Sequence, residues 1–259
     1  MEQLTIIIPT LNEAENIDPL IARIFEQSSA AFSIEVLMVD DGSTDKTCER
    51  VLFYGQSRPV RLLRRDFPAG GLAGAVLAGA AAAKSRWIVV MDADLSHPPE
   101  RIGDLVAPLL DGSQDMVIGS RYVPGGRTPG WPWWRRLMSR VACLMAWPLV
   151  RRRDPLSGFF ATNRTSLIQC KEDAAGFKIA LELLVSAPPG FRVREIPIVF
   201  RDRERGKSKI SFGVLATYLF RLFRLIARRL WSSSGSQEGS LGRLHEVPKP
   251  ERQPRVIEP

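Results

Sequence analysis

The chain is poor in the residues that build metal clusters and disulfide frameworks. Its 259 residues hold three cysteines and two histidines. Cys48, Cys143 and Cys170 share no metal-type spacing, and an odd count leaves no paired framework. A reducing compartment is the simpler reading. His97 and His245 leave no histidine set for zinc. Long apolar runs are missing as well. None reaches the roughly 18 residues that a bilayer span requires. Leu72 to Ala83 stops at Lys84, and Val141 to Val150 is interrupted by Pro148. No signal-peptide pattern is expected, because Met1-Glu2-Gln3 runs straight into a strand pattern. No internal repeat is visible.

What is present is a basic chain of otherwise ordinary composition. Hydrophobic residues make up 45% and charged residues 25%, with a formal net charge of +8. The length suits one domain with a full core. Positive charge clusters at Arg135-Arg136, Arg151-Arg152-Arg153, Arg201 to Lys209 and Arg221 to Arg229. Such clusters point to an anionic partner: phosphate, nucleic acid or a lipid headgroup.

Apolar, β-rich runs at Leu4–Ile8, Ile34–Val39, Val60–Leu63, Trp87–Met91 and Asp115–Gly119 predict strands. Between them, Glu13–Gln27, Gly70–Lys84 and Pro99–Leu110 predict helices. Ser43 or Thr44 is placed to cap one more helix, with Asp45 in its first turn. The small residues of Gly70–Lys84 allow close packing on a sheet. The expected fold is α/β, a mostly parallel sheet flanked by helices on both faces. After about residue 125 the pattern changes. Trp131–Val150 is rich in Trp, Met and Arg. Ser157–Thr162 and Arg192–Phe200 read as further strands, with a helix over Phe177–Ala187. Leu215, Leu219, Phe223, Ile226 and Leu230 share a helical face opposite Arg221, Arg224 and Arg228, so 212–231 reads as a C-terminal amphipathic helix. One domain is expected over 1–231, and the polar stretch 232–259 reads as a disordered tail.

Chemistry concentrates at strand ends. Met91-Asp92-Ala93-Asp94-Leu95-Ser96-His97-Pro98 directly follows the run Trp87-Ile88-Val89-Val90. Ligands bind at strand ends in open α/β sheets. Hard divalent cations that bridge phosphates take one or two carboxylates plus substrate oxygens. Two more predicted strands end in Ile8-Pro9-Thr10-Leu11-Asn12-Glu13 and Val39-Asp40-Asp41-Gly42-Ser43-Thr44-Asp45. Asp40 and Asp41 suit hydrogen bonds from a base or ribose; alone, this stretch would read as a turn and helix cap. Acidic residues at several strand ends of one sheet are seldom accidental.

These segments, in this order, together with Ile118-Gly119-Ser120-Arg121-Tyr122-Val123 and Gly125-Gly126, resemble the family 2 glycosyltransferases. Within them the likeness is to the dolichol-phosphate (polyprenol-phosphate) mannose synthase group, over about residues 4 to 212. The resemblance implies a GT-A (Rossmann-like) fold and a nucleotide-diphospho-sugar donor. It also implies Mg²⁺ or Mn²⁺, and inverting transfer of a hexose, mannose from GDP-mannose, to a polyprenyl phosphate. Carried over by position, Pro9, Leu11, Glu13, Asp40, Asp41, Gly71, Asp92 and Ala93 line the nucleotide-sugar pocket. Asp94 is the main metal ligand and Asp92 faces ribose and metal. Ser96 stands where relatives carry a further ligand, Gln, although a hydroxyl reaches less far. Gly71-Leu72-Ala73-Gly74-Ala75 resembles the family's Gly-Leu-Gly-x-Ala, preceded by Arg64 and Arg65. Arg121, Arg136 and Ser139 are implied to hold the acceptor phosphate. Phe200-x-x-Arg203-x-x-Gly206-x-Ser208-Lys209 matches a family signature in which Arg203 and Lys209 neutralise the leaving diphosphate. Asp94, Arg121 and Arg203 are the expected catalytic residues. Asp154-Pro155-Leu156-Ser157-Gly158-Phe159 matches Asp-x-x-Ser-Gly-Phe, and Glu182 also falls on a family position.

A lipid acceptor implies a membrane surface. Trp131, Trp133, Trp134 and Trp147 with Arg135 and Arg136 suit a second interfacial helix, at about 131–150. The alternative is that both helices pack on the core. The expected setting is the cytoplasmic face of a membrane, peripheral to it, with room for a small membrane partner protein. UDP-glucose is the rival donor. A polysaccharide synthase is disfavoured, since no Gln-x-x-Arg-Trp occurs. A basic nucleic-acid-binding protein or a non-catalytic nucleotide module is the reading from another class. No nucleic acid partner is expected, because the aromatic residues cluster with apolar ones.

Overall fold

Strictly apolar runs need cover on both faces, and β4 and β5, buried at every position, have it. The computed structural model describes residues 1–65, 69–170, 178–202 and 255–257. Arg203, Lys209, the expected helix at 212–231 and the stretch 232–254 lie outside the described residues.

Strand β1 (Glu2–Thr10) lies mid-sheet, pairing in parallel with β2 (Phe32–Asp40) on one side and β4 (Trp87–Val90) on the other. Beyond β2 comes β3 (Val60–Arg64), also parallel. On the far side, β6 (Phe160–Asn163) runs antiparallel between β4 and β5 (Met116–Ser120). Strand β7 (Val193–Pro197) pairs in parallel with β5. Strand β8 (Arg255–Ile257) pairs antiparallel with β3, so three residues of the stretch read as a tail cover a sheet edge. The order is β7-β5-β6-β4-β1-β2-β3-β8. The chain moves outward from β1 through β2 and β3, then crosses back to β4. The strand order therefore reverses between β1 and β4. This is the switch point at which open α/β sheets form a ligand crevice. Because β5 runs parallel to β4, its carboxyl end opens onto the same edge.

Two helical layers sandwich the sheet. Helices α1 (Ala14–Phe25), α2 (Thr47–Gly55) and α4 (Ile102–Leu110) pack Ile17, Leu20, Val51 and Leu105 against Ile6, Ile8, Val36 and Val89. On the opposite face, α3 (Gly71–Ala82), α6 (Arg164–Ile168) and α7 (Ile179–Ser186) cover Ile7, Leu37, Ile88 and Ile118. Neighbours in sequence, such as Ile6 and Ile7, thus face different layers, as the strand period requires. Helix α3 sits close to the sheet. A methyl group at Gly79 would lie 2.6 Å from Ile7 Cγ2, a distance no side chain accepts.

Helix α5 (Trp133–Val150) behaves differently. It buries Cys143, Ala146 and Leu149, yet exposes Trp133, Trp134, Leu137, Met138, Val141, Leu144 and Met145. Those exposed residues recur at helical spacing, so α5 turns an apolar face to solvent. Among the described residues, no helix is long and apolar enough to cross a membrane.

Candidate active site

The half of the site at the tips of β1 and β2 is assembled by side chains borrowed between loops. Asn12 adopts a left-handed backbone (φ 58°) after β1. Its amide donates to Ser43 Oγ at 2.9 Å, and its Oδ1 accepts from the Thr44 amide at 2.8 Å. The Glu13 amide donates to Thr47 Oγ1 at 2.9 Å and the Ala14 amide to Asp45 Oδ2 at 3.1 Å. The loop after β2 therefore satisfies the open N-terminus of α1, which no local residue caps. Neither Ser43 nor Thr44 caps α2. That role falls to Asp45, which accepts from the Thr47 amide at 2.9 Å.

Asp40 and Asp41 have opposite fates. Asp40 is fully buried, and its carboxylate accepts from the Gly42 and Ser43 amides and the Ser43 hydroxyl. It is a turn residue that faces inward, so the plain turn reading holds for it and the nucleotide-facing reading does not. Asp41 instead receives a two-pronged guanidinium bond from Arg65, at 2.6 and 2.7 Å. The same guanidinium donates to the carbonyls of Ala69 and Gly71, at 2.9 and 3.1 Å. Arg65, not Arg64, is the basic residue that ties the start of α3 to the β2 tip. Pro9 sits in β1 opposite Val39, Leu11 is exposed just beyond, and the Glu13 carboxylate accepts from Asn16 at 2.7 Å.

Asp92 and Asp94 leave β4 beside this loop. Asp94 is buried, and its Oδ1 accepts from the Ser96 amide at 3.1 Å and the Ser96 hydroxyl at 2.6 Å. Leu95 between them takes a left-handed φ of 61°, a strained conformation for a branched residue. That turn folds Ser96 back onto Asp94, so Ser96 orients the carboxylate through its hydroxyl. Ala93 is buried between the two aspartates.

His97 joins the two halves. Its Nδ1 accepts from the Asp92 amide at 3.1 Å, which fixes the neutral tautomer with the proton on Nε2. The ring stacks on Phe159 and meets Phe200 edge-on, each with its centroid 5.2 Å away. Burial pushes its pKa below the ordinary value, against the pull of Asp92 and Asp94. With a neutral ring, the 3.8 Å separation from Asp92 Oδ2 is a contact and not an ion pair.

The other half centres on Arg121, at the tip of β5. Its Nε and Nη2 donate to Asp154 at 2.8 and 2.6 Å, and its backbone amide adds a third bond at 2.9 Å. Asp154 is fully buried and Arg121 nearly so. This is a buried fork, not the surface salt bridge expected of an arbitrary arginine. Burial alone lowers the guanidinium pKa, but Asp154 outweighs it and raises it well above the ordinary value. The rings of Tyr122, Trp131 and Phe200 stand 5.2 to 5.6 Å from the guanidinium carbon. Tyr122 donates to Ser139 Oγ at 2.6 Å, tying α5 to the β5 tip. Arg136 is exposed on the same helix.

Asp154 and Lys178 carry weight that the sequence did not signal fully. Asp154 was visible only as part of Asp-x-x-Ser-Gly-Phe, and Lys178 sits in no motif. Lys178 Nζ donates to the Leu156 carbonyl at 3.2 Å. Partial desolvation of the ammonium and then the Arg121 charge pull its pKa down, while Asp92 and Asp154 push back. Gly158 explains the Ser-Gly-Phe element. A methyl group there would lie 3.2 Å from the His97 ring and 3.3 Å from the Asp92 carboxylate. The Asp92–Asp94 tip and the Arg121–Asp154 fork thus both lie near His97, with Gly158 packed against His97 and Asp92.

The family model for glycosyl transferase family 2 matches residues 5–177. The chain belongs to glycosyltransferase family 2. It is 39% identical over 228 residues to the dolichol-phosphate mannosyltransferase of Pyrococcus furiosus, covering 86% of this chain and 64% of that one. It therefore spans less than two thirds of that relative's length. The dolichol-phosphate mannosyltransferase of Saccharomyces cerevisiae is also 39% identical, over 86% of each chain. A polyprenol monophosphomannose synthase of Mycolicibacterium smegmatis is 35% identical, over 85% of this chain and 86% of that one. Among solved structures, Mycobacterium tuberculosis glucosyl-3-phosphoglycerate synthase with Mn²⁺, UDP-glucose and phosphoglyceric acid superposes with a TM-score of 0.61. That match covers 86% of this chain and 80% of that one at 22% identity. At that identity the likeness speaks for the GT-A fold.

Proposed function

We propose that this glycosyltransferase moves mannose from GDP-mannose to the phosphate of a polyprenyl phosphate, with inversion, at a membrane surface. One observation carries the reading: an acidic strand tip and a buried arginine fork both lie near His97. The relatives named above supply the substrate class.

The donor set at the acidic tip was tested against a divalent cation. Asp92 and Asp94 offer hard oxygens one residue apart, and Asp94 is held in place by Ser96. Among the described residues no group of three or more His, Cys, Asp or Glu forms a metal cage. Two carboxylates, with substrate oxygens completing the shell, fit Mg²⁺ or Mn²⁺. When bound, that ion would neutralise charge on the departing diphosphate.

The chain's own residues do the rest. A phosphate monoester with a second pKa of about 6 is already largely ionised near neutrality, so the acceptor needs no protein base. Its oxygen forms the new bond to the anomeric carbon as the bond to the nucleoside diphosphate breaks. Arg121, locked by Asp154, presents a guanidinium that pays no ordering cost when the acceptor phosphate arrives. Lys178 adds a cation whose charge is felt at Asp92. In this proposal Arg136 and Ser139 flank the acceptor phosphate, Arg203 and Lys209 face the leaving diphosphate, and Asp41, Glu13, Pro9, Leu11 and Gly71 surround the nucleotide.

The apolar face of α5, with its tryptophans and flanking arginines, suits the headgroup region of a bilayer. A small membrane-embedded partner would dock on the same face. The three free cysteines suit the cytoplasmic side.

The test is a transfer assay with labelled GDP-mannose or UDP-glucose, polyprenyl phosphate and Mg²⁺ or Mn²⁺. Label in the organic phase from GDP-mannose is expected. Label from UDP-glucose alone would reassign the donor, and none from either donor would reject the reading.

A further inference from the structure

Trp131 lies just before α5, with only 6% of its surface exposed. Its indole nitrogen is buried and makes no hydrogen bond. An indole N–H is a donor only, so only an acceptor atom satisfies it. Leaving it unpaired carries the desolvation cost of the donor, which a phenylalanine of similar packing would avoid.

The surroundings narrow what that acceptor is. The Arg135 guanidinium carbon lies 4.1 Å from the Trp131 ring centroid and that of Arg121 5.6 Å away. Phe200 packs edge-on at 5.4 Å. Two guanidinium groups beside a buried donor favour an anionic oxygen and repel a cation. Nearby carboxylates are already engaged: Asp154 by Arg121, and Asp202 by Arg135 at 2.9 and 3.0 Å. Neither reaches the indole nitrogen.

We infer that Trp131 Nε1 donates to a phosphate oxygen of the substrate, beside the guanidinium groups of Arg121 and Arg135. The inference rests on the phosphoryl substrates proposed above and adds a binding residue that no motif marks. Two sources offer such an oxygen, the acceptor monophosphate and the donor diphosphate. The position of Trp131 beside Arg121 and the Tyr122–Ser139 bond favours the acceptor.

Trp131→Phe keeps an aromatic ring and removes the N–H. Calorimetric titration of the full chain with geranyl phosphate, a short soluble isoprenyl phosphate, and separately with GDP reads the two sources. Loss of a hydrogen bond to a charged group predicts roughly tenfold or greater weakening. Weakening for geranyl phosphate with GDP unchanged supports the inference with the acceptor as source. Weakening for GDP alone supports it with the donor as source. Unchanged affinity for both overturns it. Should Trp131→Phe misfold, benzothienylalanine at position 131 keeps the indole shape without the N–H and gives the same three outcomes. Binding is read without turnover, so a protein that discriminates geranyl phosphate yet transfers no hexose would sink the proposed reaction alone.

Discussion

The two halves of the crevice solve their hydrogen bonding in opposite ways. On the donor side, the loops after β1 and β2 satisfy one another. Ser43, Asp45 and Thr47 hold the amides at the start of α1, and Arg65 pins Asp41 to the start of α3. On the acceptor side, a guanidinium and a carboxylate are buried together, an indole N–H is left without an acceptor, and a helix turns tryptophans outward. In the proposed function the first side is a finished scaffold around a nucleotide, and the second is completed by a phosphate and a lipid environment.

The largest expected effect breaks the acceptor side from within. Asp154→Leu leaves the Arg121 guanidinium buried without its counter-charge. It should destabilise the fold by about 3–5 kcal/mol, measured by chemical denaturation. A loss under 1 kcal/mol would show that Arg121 reaches water and that the fork is not a buried ion pair. Next comes the outward face of α5. Serine at both Trp133 and Leu144 removes apolar anchors worth about 1.5–3 kcal/mol each. Sedimentation with anionic vesicles should fall by at least roughly tenfold while thermal stability holds. Unchanged vesicle binding would assign that face to another role.

A third change probes the seam. Gly158→Ala presses on both His97 and Asp92, at 3.2 and 3.3 Å, and overpacking of this kind costs about 1–3 kcal/mol. We expect the penalty chiefly in kcat, because Asp92 is displaced from the diphosphate; a wild-type kcat would place Asp92 outside the reaction. The smallest effect belongs to the donor scaffold. Thr47→Val removes the hydrogen bond accepted from the Glu13 amide and the one donated to Asp45, each worth about 0.5–1.5 kcal/mol. The donor KM should rise a few-fold with kcat and acceptor KM unchanged. A shift in acceptor KM instead would erase the distinction between the two halves.

The same contrast explains what could be read from the sequence. The alternation of apolar strands and helices is local, so all strands up to β7 and the helices α1, α3, α4, α5 and α7 fall where their patterns predict. The acidic strand ends are local too, and the parallel sheet gathers them. What escaped depends on contacts between distant segments. Nothing around Asp40 distinguishes a buried turn residue from the paired Asp41 next to it. The caps of α1 come from residues some 30 positions away. The partner of Arg121 lies 33 positions on, and the carbonyl that Lys178 meets lies 22 positions back. The pairing of β8 with β3 joins chain segments nearly 200 residues apart, which no periodicity reveals.

The account turns on Asp94 holding a cation that in turn holds a diphosphate. The most direct measurement is calorimetric titration of GDP into wild type and Asp94→Asn, each with Mn²⁺ and with EDTA. The prediction is that Mn²⁺ strengthens GDP binding to the wild type at least roughly tenfold, and that Asp94→Asn keeps the metal-free affinity but loses this gain. An equal gain from Mn²⁺ in both proteins would contradict it.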